Sequence, residues 1–284
     1  MNLYSVQTGN FKLDGGAMFG VVPKAIWEKT NRPDSLNRIS MSARSLLIED
    51  GNRLTLVDTG LGNKQPNSFF KHYALWGNYN IKSSLKEIGF HPDDITDVLL
   101  THLHFDHCGG AIERGPKGML IPSFKNAHYW VHEGQWGCAQ KPNIREKASF
   151  LPENIEPIES CGQLKLIKGK SSLIRAASSL GFNVLIFDGH TERQMLPIIE
   201  YKEKTIVFAA DLIPTVGHIP VPYIMSYDTR PLLTLEEKGA FLKKAEKNNW
   251  ILFMEHDPDN ELAFLKKTEK GVRLDYCSTI KDFF

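Results

Sequence analysis

Hydrophobic and polar positions along this chain fall into two recurring patterns, one predicting strands and the other helices. Arg44–Asp50 (RSLLIED) and Arg53–Gly60 (RLTLVDTG) are β-rich runs separated by Gly51-Asn52, the pattern of a hairpin. In Ile81–Phe90 the period changes, with Ile81, Leu85 and Ile88 at helical intervals up to a stop at Gly89. Ile95–His102 (ITDVLLTH) then reads as a buried strand, and Asn126–His132 (NAHYWVH) as another, followed by a short helix. The second half repeats this grammar. Phe182–His190 (FNVLIFDGH), Gln194–Tyr201 (QMLPIIEY) and Lys204–Asp211 (KTIVFAAD) have strand length, each bounded by polar residues or glycine. Leu232–Trp250 predicts an amphipathic helix, and Trp250–Asp257 (WILFMEHD) a final buried strand.

Two β-rich halves with helices after some strands predict an α+β fold in which two mixed sheets pack face to face with helices outside. No Pro/Gly/Ser-rich linker, repeat or low-complexity tract divides them, so residues 1–284 read as a single domain. Composition agrees, with 42% hydrophobic and 24% charged residues, enough to bury a substantial core. A formal net charge of +1 gives no reason to expect nucleic acid or an anionic membrane as partner. No apolar run approaches the roughly 20 residues that span a bilayer. Met1–Gly16 lacks the basic and apolar regions of a secretory signal. Cys108, Cys138, Cys161 and Cys277 form no C-x-x-C pair and read as free thiols, so the expected location is cytoplasmic.

Candidate chemistry concentrates in Thr101–Gly110 (THLHFDHCGG). Residues two apart do not share a helical face, so H-x-H-x-D-H is not a helix motif. At a strand end, His102 and His104 point the same way, while the following loop turns Asp106 and His107 toward a second point. That arrangement suits two adjacent metal ions. Imidazole and carboxylate donors favour zinc, with manganese, iron or cobalt as alternatives. Cys108 is not read as a ligand, because His107 fills the adjacent slot and Gly109-Gly110 turns the chain. His190, Asp211 and His256 each close an apolar strand and complete a set of seven residues for two metals.

At these residues the sequence resembles the metallo-β-lactamase-fold hydrolase superfamily. The likeness rests on THLHFDHCGG, DGH at 188–190, AAD at 209–211 and EHD at 255–257, with VDTG at 57–60 upstream. It implies a four-layer αβ/βα sandwich carrying two zinc ions per chain. His102, His104 and His190 would hold one ion, Asp106, His107 and His256 the other, with Asp211 bridging and Asp58 orienting the ligands. The best-known zinc β-lactamases have cysteine where Asp211 stands, and the flavo-diiron branch has glutamate in place of His104. The exosite arm of RNase Z-like proteins is not apparent. Leu13–Trp27 (LDGGAMFGVVPKAIW) and Asp211–Pro231 (DLIPTVGHIPVPYIMSYDTRP) resemble the quorum-quenching N-acyl-homoserine lactonase-like branch, near methyl parathion hydrolase.

The expectation is therefore a dinuclear hydrolase that opens a lactone ring by attack of a metal-bridging hydroxide. Phosphotriester or aryl-ester hydrolysis on the same site is the alternative, and a non-catalytic metal-binding protein a third reading. Asp106 and Asp211 would be catalytic. Some lactonases of this fold supply the leaving-group proton from a tyrosine three residues after the bridging aspartate, but Pro214 stands there. That leaves Tyr223, with Tyr227, Asp106 and a metal-bound water as alternatives. Met18, Phe19, Phe105 and His218 are the expected substrate-binding residues, receiving an apolar acyl or aryl group. His72, His91, His128 and His132 lack ligand-like context and read as structural. Met18, Phe19, Val21, Val22, Ile26 and Trp27 carry too much apolar surface to leave in water at about 25 cal/mol per Å². Residues 1–40 are thus expected to form an arm near the pocket or at a homodimer interface.

Overall fold

Gly51 adopts a φ of 60°, a conformation that side-chain-bearing residues avoid, and closes the expected hairpin. The computed structural model describes residues 1–175 and 180–284, and in it the chain divides into two compact units. The first comprises Met1–Phe11 and Ala43–Lys170; the second comprises Lys12–Ser42 and Ser171–Phe284. Two of the three crossings, Phe11–Lys12 and Ser42–Ala43, fall inside the strands Asn2–Asp14 and Arg38–Asp50, so no linker composition marks them.

The sheet of the first unit is built from β1 (Asn2–Asp14), β2 (Arg38–Asp50), β3 (Arg53–Val57) and β4 (Asp97–Leu99). A small hairpin, β5 (Ile112–Arg114) and β6 (Leu120–Pro122), stands apart. The sheet continues through β7 (His128–His132) and β8 (Leu164–Ile167), in the order β1-β2-β3-β4-β7-β8. β2 and β3 are antiparallel, with Leu46 opposite Val57. β3, β4 and β7 are parallel, pairing Val57 with Leu99 and Leu99 with Trp130. Those strands read as continuous apolar runs because parallel sheets are covered on both faces. Leu47, Leu56, Val98, Tyr129 and Val131 form the centre of the resulting core. His132, expected to be structural, caps the helix Glu133–Gln140, its Nδ1 accepting from the Gly134 amide at 3.0 Å.

The second unit carries β9 (Leu173–Ile174), β10 (Asn183–Phe187), β11 (Gln194–Tyr201) and β12 (Lys204–Phe208). β13 (Ile251–Phe253), β14 (Leu262–Thr268) and β15 (Gly271–Ser278) follow, in the order β15-β14-β13-β12-β11-β10-β9. β10 and β12 are each antiparallel to β11, and β12 is parallel to β13, so β10, β12 and β13 all run the same way. The expected helix spans Pro231–Lys247, with proline in its first turn where no amide hydrogen is needed. Thr234, Lys238, Phe241, Leu242 and Ala245 form its buried face.

Two expectations need correction. Trp250–Asp257 does not hold the last strand: the β14–β15 hairpin follows at the sheet edge, only partly buried, so its hydrophobic pattern is weak. Within residues 1–40, Asn2–Asp14 is a sheet strand, and the chain leaves the sheet only at Gly15. Among the described residues, no helix is long and apolar enough to cross a membrane.

Leu56 is fully buried in the first unit's core. Leu56→Ala should cost about 2–5 kcal/mol by lost burial plus a cavity. The check is a urea unfolding midpoint well below that of the wild type, with an unchanged far-ultraviolet spectrum before the transition.

Candidate metal centre

His102 lies three residues past the end of β4 at Leu99. It is fully buried, its Nε2 stands 3.1 Å from His104 Nδ1, and its Nδ1 lies 3.1 Å from Thr101 Oγ1. Thr101 in turn donates to Asp58, through its amide at 2.7 Å and its hydroxyl at 2.6 Å. Asp58 follows β3 with a left-handed φ of 56°, the kind of backbone strain that collects at functional sites. Its Oδ2 also accepts from His107 Nδ1 at 3.0 Å, and the ring's Nε2 lies 3.9 Å from Asp106 Oδ1. His104 Nε2 faces Glu146 Oε2 at 3.4 Å.

The short helix Phe105–Cys108 carries the rest of this donor set. Gly109 and Gly110 pass so close beneath Thr59–Leu61 that a Cβ on either would collide with a backbone carbonyl, Leu61 O or Thr59 O. Cys108 donates its thiol to Leu103 O at 3.3 Å, and burial pushes its pKa up to about 12, so it stays a protonated packing group. The Phe105 ring packs on Tyr73 and Phe69, with centroids 4.7 and 5.4 Å away. Tyr73, absent from the expected site, has its hydroxyl raised to about 12 by burial and by the Asp106 charge.

In the second unit, His190, Asp211 and His256 each lie three residues beyond a strand end, at Phe187, Phe208 and Phe253. Because those strands run the same way, their carboxyl ends deliver all three to one place. Asp211 divides its oxygens: Oδ2 is 3.0 Å from His190 Nε2, and Oδ1 is 3.0 Å from His256 Nε2. The other ring nitrogens are anchored as well, His190 Nδ1 on Asp228 Oδ1 at 2.9 Å and His256 Nδ1 on Ser42 O at 2.8 Å. Burial opposes charging of His190, but Asp211 and Asp228 on its two sides outweigh it and raise its pKa to about 10. Ala210, just before Asp211, has a φ of 41°. Glu146 and Asp228 escaped the sequence reading: each lies in a loop, and although Asp228 falls within the Asp211–Pro231 stretch, nothing there singled it out.

Met18, Phe19, His218 and Tyr223 also fall in the second unit. The Phe19 ring lies between Trp27 and His218, stacked on both, with centroids 5.2 and 4.1 Å away. His218 Nε2 donates to Met18 O at 2.9 Å, and its Nδ1 accepts from Thr215 Oγ1 at 2.8 Å. Met18, Phe19 and His218 are buried to 1% exposure or less and pin the Gly15–Trp27 segment. Tyr223, half-buried, meets Phe19 edge-on at 6.4 Å. Its carbonyl and that of Pro220 accept from the buried Lys238 Nζ at 2.7 and 3.1 Å, tying down the loop.

Strand order and mixed sheets are those of the metallo-β-lactamase fold. A family model described as the metallo-beta-lactamase superfamily matches residues 41–113. A probable metal-dependent hydrolase from Staphylococcus aureus superposes with a TM-score of 0.86 at 26% identity, covering 98% of this chain and 96% of its own. A dizinc quorum-quenching lactonase, solved with the product N-hexanoyl-L-homoserine, gives 0.77 at 23% identity, covering 97% and 94%. An N-acyl homoserine lactonase of Bacillus thuringiensis is 25% identical over 226 residues, 76% of this chain and 81% of the relative. These matches show a likeness to metallo-hydrolases of the metallo-β-lactamase superfamily, in agreement with the resemblance carried by the motifs.

Burial, reinforced by the Lys238 charge, lowers the His218 pKa from 6.5 to about 3. As pH falls below 6.5 the unfolded chain takes up this proton and the folded chain does not, so stability is lost with acid until about pH 3. His218→Gln keeps a donor and an acceptor without titrating. Wild type should therefore lose more stability than this variant between pH 7.5 and pH 5, read as the difference in their urea midpoints.

Proposed function

We propose that the protein is a dinuclear zinc hydrolase that opens lactones of the N-acyl-homoserine lactone class. His102, His104 and His190 would hold one ion, Asp106, His107 and His256 the other, with Asp211 shared between them. The observation that carries this reading is the way the five imidazoles are anchored. Each engages one ring nitrogen with an oxygen of its own unit: Thr101 for His102, Glu146 for His104, Asp58 for His107, Asp228 for His190 and the Ser42 carbonyl for His256. Each thereby turns its second nitrogen away from that oxygen, the pattern by which outer partners orient metal-ligating histidines. Imidazole nitrogens with two carboxylates also fit the donor preference of zinc, and the split carboxylate of Asp211 fits a bridge.

When bound, such ions polarise a carbonyl or phosphoryl oxygen and lower the pKa of water toward neutrality. The chain's own residues supply orientation and proton return. Asp58, Asp228 and Glu146 hold imidazoles in register. Because Pro214 occupies the place of the tyrosine used by some lactonases, we assign return of the leaving-group proton to Tyr223, with Asp106 as the competing donor. The aromatic group of Phe105, Phe69 and Tyr73 beside Asp106 supports an apolar acyl chain as the substrate's tail. The likeness to an N-acyl homoserine lactonase supports the lactone over other esters. Val21 and Leu36, 93% and 66% exposed, support pairing of two chains through the Lys12–Ser42 segment, which sedimentation of the purified protein tests.

Metal analysis after mild purification should give about two ions per chain. The zinc-loaded protein should favour an acyl-homoserine lactone over a simple γ-lactone, an aryl ester and paraoxon assayed side by side. Preference for paraoxon would move the assignment to phosphotriesters, and a metal ratio near zero after reconstitution would end it. Asp211→Ala should lose turnover and both ions together; near-full activity in that variant would remove Asp211 as the bridge.

A further inference from the structure

Among the five anchored imidazoles, His104 is supported by a segment of charged and polar appearance, Lys141–Leu151, together with Cys138 just before it. Asn143 starts a tight turn there, its Oδ1 accepting from the amides of Arg145 at 2.9 Å and Glu146 at 3.2 Å. The turn sends the Glu146 side chain inward to 5% exposure. Its Oε1 accepts from Asn143 Nδ2 at 2.6 Å and from the Cys138 thiol at 3.4 Å, which leaves Oε2 for His104 Nε2 at 3.4 Å. Phe150, four residues on, packs its ring 4.9 Å from the His104 ring. One segment therefore fixes both the plane of this imidazole and the direction of its Nε2–H.

We propose that Glu146 is a positioning residue for His104. Its carboxylate, already acting as an acceptor for two donors, takes the Nε2–H as a third. The lone pair is then confined to Nδ1, which lies 3.1 Å from His102 Nε2. Asn143 and Cys138 hold the carboxylate in turn, so the Lys141–Leu151 segment sets the affinity of one ion and not the other. This inference rests on the dinuclear reading above for its metal consequence. The Glu146–His104 bond itself does not.

Two measurements separate the two. In the metal-free protein, a long-range proton–nitrogen NMR spectrum should show His104 with a slowly exchanging Nε2–H; Glu146→Ala should lose that signal and Glu146→Gln, which retains an acceptor, should keep it. In stepwise zinc titration by calorimetry, Glu146→Ala should weaken one of two binding events about 10–100-fold and leave the other in place, with Glu146→Gln recovering much of the loss. A wild type that binds no metal yet shows the protected Nε2–H would sink the dinuclear reading and leave the Glu146–His104 bond standing. Two unchanged affinities in Glu146→Ala would overturn the positioning role. So would equal weakening of both events together with a lowered unfolding temperature, since that is the signature of a merely structural residue.

Discussion

An imidazole serves a metal only through a nitrogen that carries no proton, so the placement of five protons governs what this site can do. In each case the proton is fixed by an acceptor in the same unit. Asp58 and Asp228 do it with carboxylates that are almost entirely out of water, Ser42 with a backbone carbonyl, Thr101 with a hydroxyl that itself donates to Asp58. Burial makes these assignments stiff. A buried donor left unmatched costs roughly 1–3 kcal/mol, so each ring is held against flipping by about that much.

The same logic explains where the backbone is strained. Asp58 and Ala210 take positive φ immediately at or before a chemically active residue, on the turns that leave β3 and β12. Strand register alone would carry the side chains past the site. The left-handed turn ends the strand abruptly and brings the next few residues back. Around these turns the two buried lysines act as ties: Lys64 donates to the Gly109 carbonyl, and Lys238 to the carbonyls of Pro220 and Tyr223. Burial lowers them to about 8 and about 7, so both ties lose charge as pH rises through the neutral range.

Much of this was legible in the sequence. Apolar runs ending in His190, Asp211 and His256 announced strands, and strands they are, with those residues three positions beyond their ends. H-x-H-x-D-H after Leu99 placed its own donors, because local spacing fixes local direction. The helix at Pro231–Lys247 followed from its period. Weakly patterned edges were less legible: β1 was taken for an arm and the β14–β15 hairpin was missed, since edge strands bury too little to impose alternation.

What the sequence by itself determined is the set of candidate donors and its order along the chain, because residue type and strand period are local properties. Only the tertiary structure decided which groups steer those donors. Glu146 and Asp228 lie 42 and 38 residues from the histidines they face, in loops whose composition looks like ordinary surface. The burial of Met18, Phe19 and His218 against one another was not legible, because the His218–Met18 bond spans 200 residues and no local pattern encodes it. A hydrogen bond between distant segments exists only once the chain has folded. The orientation of each imidazole is therefore a property of the fold, while its presence is a property of the sequence.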